Sequence, residues 1–109
     1  MAYDERLADR VRELVGGREG YSERKMFGGI AFMLNGNMCC GVMDEDLIVR
    51  LGDEGGLLAL EEPAVRPFDF TGKPMKSTVL VDPSGTTEEE ELARWVDAGA
   101  DYASGLPPK

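Results

Sequence analysis

Cys39 and Cys40 are the only two cysteines of a 109-residue chain that contains no histidine. The commonest general base, proton shuttle and zinc ligand is therefore absent. Acyl or group transfer needs a nucleophile held by a base, or an acid–base pair tuned by burial. Two thiols alone supply neither. Adjacent residues on a strand point to opposite faces, so the pair is expected not to share a metal, and zinc wants four ligands in any case. Redox motifs separate their cysteines by two residues at a helix start, where the thiolate is stabilised. The expectation is of two buried, reduced, inert thiols, with no catalytic residue, no metal and no cofactor. The alternative is a thiol-based redox or small-ligand-binding protein using Cys39/Cys40.

Three other groups could do chemistry. Gly28-Gly29 invites comparison with a phosphate loop, but no Gly-Lys-Ser/Thr follows and the three spaced glycines of a dinucleotide fingerprint are missing. A bend in an extended segment is the better reading. Arg24, Lys25, Arg50, Arg66, Lys73 and Lys76 lie in strand regions, whereas Glu88–Glu91, Asp97 and Asp101 concentrate acid near the C-terminus. The basic group reads as surface charge and cross-strand pairs, or as a patch for an acidic segment or small anion. Met26, Met33, Met38, Met43 and Met75 fill a core or line an adaptable surface.

The elements that must position these residues follow from periodicity and turn chemistry. Tyr3, Leu7, Val11, Leu14 and Val15 recur at helical spacing, and Gly16-Gly17 is expected to end that helix through a residue with positive φ. Arg24–Phe27 and Ile30–Leu34 read as extended pieces. Asn35-Gly36 then signals a type I′ hairpin turn, which needs positive φ at both central residues. The register predicts the pairs Leu34–Asn37, Met33–Met38, Phe32–Cys39, Ala31–Cys40 and Ile30–Gly41. It places Cys39 with Phe32 on one face and Cys40 with Ala31 and Val42 on the other. Residues 25–43 thus form a region apolar on both faces, which must be covered twice.

Leu47–Leu51 reads as a strand. Asp53 caps a short helix around Leu57–Leu60, and Val65–Phe70, interrupted by Pro67, reads as an edge strand. Met75–Val81 is a further strand. Thr87 with Glu90 forms a capping box for a last helix through Leu92, Trp95, Val96, Gly99, Tyr102, Ala103 and Leu106. Gly99 costs about 1 kcal/mol against alanine there, which a close approach of helix to sheet would justify. The fold class is α+β: a mainly antiparallel sheet of about five strands flanked by N- and C-terminal helices.

Charge and length bound the partners. A net charge of −9 opposes direct binding to duplex phosphates and to anionic membranes. No apolar run approaches the roughly 18 residues of a membrane span, and the opening MAYDERLADR is not a secretory signal. One domain spanning 1–109, cytoplasmic, is expected.

The stretch Lys25-Met26-Phe27-Gly28-Gly29-Ile30-Ala31-Phe32-Met33, followed by Asn35–Val42, resembles the N-terminal domain family of TfoX/Sxy competence regulators. Asp46–Arg50, Arg66–Lys76 and Trp95-Val96 continue the likeness in order. The resemblance implies a shape similar to secretion-chaperone-like folds, no catalytic residues to carry over, and a regulatory or protein-interaction role. A homodimer or an unidentified protein is the expected partner. Candidate interaction residues along these stretches are Lys25, Met26, Phe27, Gly28, Gly29, Arg50, Phe70, Gly72, Met75 and Lys76. The named regulators carry a second, helical domain that this chain does not show.

Overall fold

The structure, a computed structural model, describes residues 3–26, 28–68 and 75–107, with Met26, Met75 and Lys76 described by backbone alone. Helix α1 (Glu5–Val15) is started by Asp4, whose side chain accepts from the backbone N–H groups of Arg6 and Leu7 at 3.0 and 3.1 Å. These are donors that no intrahelical carbonyl can reach. Leu7, Ala8, Val11 and Val15 form its buried stripe. At its end, Gly16 is right-handed with φ −63°, so the positive-φ stop expected there is not used. Gly20 takes that conformation instead, at φ +81°.

Strands β1 (Tyr21–Met26), β2 (Gly29–Leu34), β3 (Asn37–Met43), β4 (Asp46–Arg50), β5 (Val65–Phe68) and β6 (Met75–Val81) make one antiparallel sheet ordered β1-β2-β3-β4-β6-β5. There are six described strands where about five were expected, because Tyr21–Met26 and Gly29–Leu34 pair with each other antiparallel as separate strands. Gly28, between them, holds φ +77°. The proline-bearing β5 is an edge strand, as its missing N–H requires.

Asn35 and Gly36 have φ of 54° and 83°, as a type I′ turn demands. Leu34↔Asn37 and Met33↔Met38 pair as expected. Beyond them the register shifts, and Phe32 pairs with Cys40, Ala31 with Gly41 and Ile30 with Val42. The expected pairs Phe32–Cys39, Ala31–Cys40 and Ile30–Gly41 are thereby corrected. Cys39 is the extra residue of a β-bulge, which resets the alternation of side chains along the strand.

Helix α2 (Gly52–Ala59) starts at Gly52, earlier than a cap at Asp53 would place it, and no side chain caps it. Helix α3 (Glu89–Ser104) follows a 3₁₀ turn at Pro83–Gly85. The expected capping box is not formed: Thr87 Oγ1 donates to the Pro83 carbonyl at 2.9 Å, and Glu88 stands at the N-cap without a side-chain hydrogen bond to the helix. The turn ahead of the helix claims the hydroxyl first. No described helix is long and apolar enough to cross a membrane.

Ile30, Phe32, Leu34, Cys40, Val42, Leu47, Val49, Val79 and Val81 face α1 and α3 in the main core. The opposite sheet face holds a second cluster of Ile48, Phe68 and Leu80, with half-buried Met38 and Met43 against it. Among the described residues, β3 therefore carries apolar side chains on both sheet faces.

Candidate functional site

The surface feature least explained by folding lies on α2. A helix at a protein surface ordinarily turns its large apolar side chains inward. This helix buries Gly52, Gly56 and Ala59 and exposes its leucines. Leu57, Leu58 and the adjoining Leu60 are 62%, 64% and 37% exposed, the only exposed large apolar side chains among the described residues. The cause is local. α2 packs against β6 through its small residues, so the chain comes close and the leucines are left on the outer face. Gly52, at φ +83°, also admits Tyr102, whose Cε1 would stand 2.7 Å from an added Cβ.

Beside these leucines runs a cleft between α2 and α3, of about 340 Å³, lined by Leu51, Gly55, Leu58, Ala59, Glu62, Arg94, Trp95 and Ala98. A wider depression of about 650 Å³ continues past Leu51 and Leu58 to Asp53, Glu54 and Tyr102. The rim is acidic. Asp53 and Glu54 precede the exposed leucines by one turn, and Glu61 and Glu62 follow them by one turn. Glu62 is paired with Arg94, at 3.0 and 3.3 Å, and holds the Arg94 guanidinium charged above its ordinary range. Among the described residues, Asp53, Glu54 and Glu61 make no ion pair.

Arg94 also lies over the Trp95 ring, 4.5 Å from its centroid, in cation–π contact. Trp95 is 4% exposed, and its indole Nε1 is the one buried side-chain nitrogen or oxygen among the described residues without a hydrogen-bond partner. A buried donor left unpaired costs about 1–3 kcal/mol.

The cysteines stand differently from expectation. Both are fully buried in the main core, and their Sγ atoms touch at 3.7 Å. The placement of the two thiols on opposite faces is corrected, because the bulge at Cys39 turns consecutive side chains the same way. The Cys39 thiol also donates to the Phe32 carbonyl at 3.3 Å. Its hydrogen bond with Cys40 lowers the Cys39 pKa, and the same bond with burial raises that of Cys40 well above the thiol range. Among the described residues no set of three or more His, Cys, Asp or Glu side chains is arranged to hold a metal.

The residues singled out from the sequence are dispersed. Lys25 is exposed on edge strand β1, Gly28 is at the β1–β2 turn, and Gly29 is buried against the Val42 carbonyl, 2.2 Å from where its Cβ would lie. Arg50 ends β4 and stacks over the Tyr102 ring at 5.6 Å, which ties it to the α2–α3 depression. The backbones of Met26, Met75 and Lys76 lie in β1 and β6. Phe27, Phe70 and Gly72, like Lys73, lie outside the described residues. Arg66 is paired with Asp46 at 2.8 Å. The exposed leucines were missed. Their signal was the inverted pattern of residues 52–60, in which the spacing of the glycines, not of the leucines, marks the buried face.

An open antiparallel sheet with helices packed on its core face defines an α+β domain, here with three leucines exposed on and beside α2. The chain matches the TfoX N-terminal domain over residues 13–103 and belongs to that family. Comparison with curated proteins and with solved structures finds no match.

Proposed function

We propose that this domain is a non-catalytic regulatory module that binds a protein partner through the α2–α3 face. The observation that carries the reading is the outward display of Leu57, Leu58 and Leu60 beside a cleft floored by Trp95. Contiguous exposed apolar surface rimmed by polar residues is characteristic of interaction sites. Charge selects the occupant. Asp53, Glu54 and Glu61 would meet their own kind in a symmetric pairing of two copies through this face, whereas a basic amphipathic segment would find apolar and opposite-charge contacts together. Membership of the family supports a regulatory role of the competence-regulator type, and the cytoplasm is the compartment in which such a segment would be met.

A helical peptide of leucine and lysine, and its counterpart with glutamate for lysine, test this by fluorescence of the single tryptophan. The lysine peptide is expected to bind and the glutamate peptide not. Burial of a leucine contributes about 1.5–3 kcal/mol, so Leu58→Ser should weaken binding roughly tenfold or more. Equal binding of both peptides, or an unaffected variant, would sink the reading. A dimer in light scattering that Leu58→Ser disperses would instead assign the face to a second copy.

A second reading rests on the 3.7 Å contact between the cysteine sulfurs. The two thiols would close to one disulfide, and glutathione disulfide would take their two electrons and two protons and become two glutathione thiols. Native protein incubated with glutathione disulfide would then lose two hydrogens by mass spectrometry. Thiols that react only in denaturant would exclude it.

A further inference from the structure

The order of residues along α2 says more about the occupant of the α2–α3 face than its charge alone. Asp53, Leu57 and Glu61 stand at i, i+4 and i+8, and Glu54, Leu58 and Glu62 repeat the pattern one residue on. Residues four apart on a helix lie one above the other. The chain keeps turning past Ala59, because the N–H groups of Leu60, Glu61 and Glu62 donate to the carbonyls of Gly56, Leu58 and Ala59 at 3.1, 3.2 and 3.0 Å. Two rows therefore run side by side, each with a leucine between two acids. Gly52, Gly56 and Ala59 take the buried side, which leaves Asp53, Glu54, Leu57, Leu58 and Glu61 exposed.

The rows are not equivalent. In the second, Glu62 is held by Arg94 at 3.0 Å, and Leu58 lines the α2–α3 cleft. In the first, neither Asp53 nor Glu61 has an ion pair among the described residues. Leu57, between them, is 62% exposed. Eight residues of helix rise about 12 Å, so two free carboxylates bracket the leucine at that separation. A second copy laid on this face meets acid at both ends whichever way it runs, since reversal only exchanges one carboxylate for the other. A segment cationic at one end leaves the other carboxylate unmatched. We propose that the partner segment is a helix with a lysine or arginine on each side of its apolar anchor, the two about seven or eight residues apart. One cation meets Asp53, the other meets Glu61, and the anchor lies against Leu57 and Leu58; this rests on the reading of the α2–α3 face as the docking surface. Seven or eight residues of the partner helix span about 10.5–12 Å, and an anchor three or four positions along falls between the cations on the same side.

Two dye-labelled helical peptides of identical composition test the spacing. One carries a lysine on either side of its leucines at that interval, and the other carries both lysines at one end. Binding is read by fluorescence anisotropy at low ionic strength. The bracketed peptide should bind about two- to fivefold more tightly, the difference of one exposed ion pair. Asp53→Asn and Glu61→Gln should each weaken it by about that factor, and the double variant by the product, because the sites are too far apart to couple. Both side chains are exposed, so the far-ultraviolet circular dichroism of these variants should match that of the wild type. Equal affinity of the two peptides overturns the spacing, as does sensitivity of the bracketed peptide to only one of the two substitutions. In either case, binding that Leu58→Ser weakens leaves the docking face standing. If neither peptide binds, or if Leu58→Ser has no effect, the docking face fails and the spacing with it.

Discussion

Gly99 sits in the middle of α3, where an alanine would be the better helix former by about 1 kcal/mol. The structure gives the reason for glycine: an added Cβ would lie 2.4 Å from the Cys39 carbonyl oxygen. The bulge at Cys39 and the close approach of α3 are thus one device, and the Cys39 backbone, buried within β3, has little room to yield. Gly99→Ala should therefore destabilise by about 1–3 kcal/mol despite its propensity, lowering the melting temperature by roughly 5–15 °C. A melting temperature equal to or above wild type would show that the helix can retreat from β3. The ion cluster of Arg12, Glu23 and Tyr21 is a second case. Arg12 donates to Glu23 at 2.5 and 3.0 Å, and Tyr21 donates to the same carboxylate. The hydrogen bond from Arg12 holds the Glu23 pKa below its ordinary 4.5. A carboxylate lowered on folding stabilises above its unfolded pKa and loses that contribution as pH falls through the lowered value. With Arg12 partly exposed, the contribution is at most about 1 kcal/mol. Glu23→Gln should be less stable at neutral pH by up to that amount and should lose less stability between neutral and acid pH, as read by urea midpoints at each pH.

At the level of elements, much of the chain was legible because its signals were local. The stripe of α1, the Asn35-Gly36 turn and the edge position of the Pro67 strand each depend on neighbours within a few residues. What failed depended on competition or on distant packing. Thr87 could serve either α3 or the preceding turn, and the Pro83 carbonyl won. The bulge has no local signature, since nothing in Met38-Cys39-Cys40 distinguishes the five regular pairs expected from a shifted set; α3 pressing on Cys39 through Gly99 accompanies it. The outward leucines of α2 went unread because residue type does not say which side approaches β6; the buried glycines do. The caps make this testable. Asp4→Ala removes a real N-cap and should cost about 1 kcal/mol. Thr87→Ala removes only a hydroxyl bond in the turn and should cost less, with the helical circular dichroism of α3 retained. Equal losses in urea unfolding would restore the capping-box reading.

For the whole molecule, the balance of −9 does more than keep the protein dissolved. The acid is not spread evenly. Arg10 binds Glu89 at 2.8 Å, and Arg18 lies 3.6 and 3.9 Å from Asp97 and Asp101, so part of the charge on α3 is used to hold helices together. Around α2, Asp53, Glu54 and Glu61 are left to act on solvent and on whatever approaches, with no ion pair among the described residues. Their field should steer a basic segment toward the exposed leucines and contribute to its affinity. Three exposed pairs at roughly 0.2–1 kcal/mol each amount to about tenfold in affinity at low ionic strength. The screening length falls from about 10 Å at 0.1 M salt to about 3 Å at 1 M, so the leucine–lysine peptide should bind roughly tenfold more weakly across that range. The apolar contribution should persist, because burial of leucine is not screened. Affinity that does not change with salt would show that the rim plays no part, and affinity that vanishes at high salt would show that Leu57, Leu58 and Leu60 make no contact with the bound peptide.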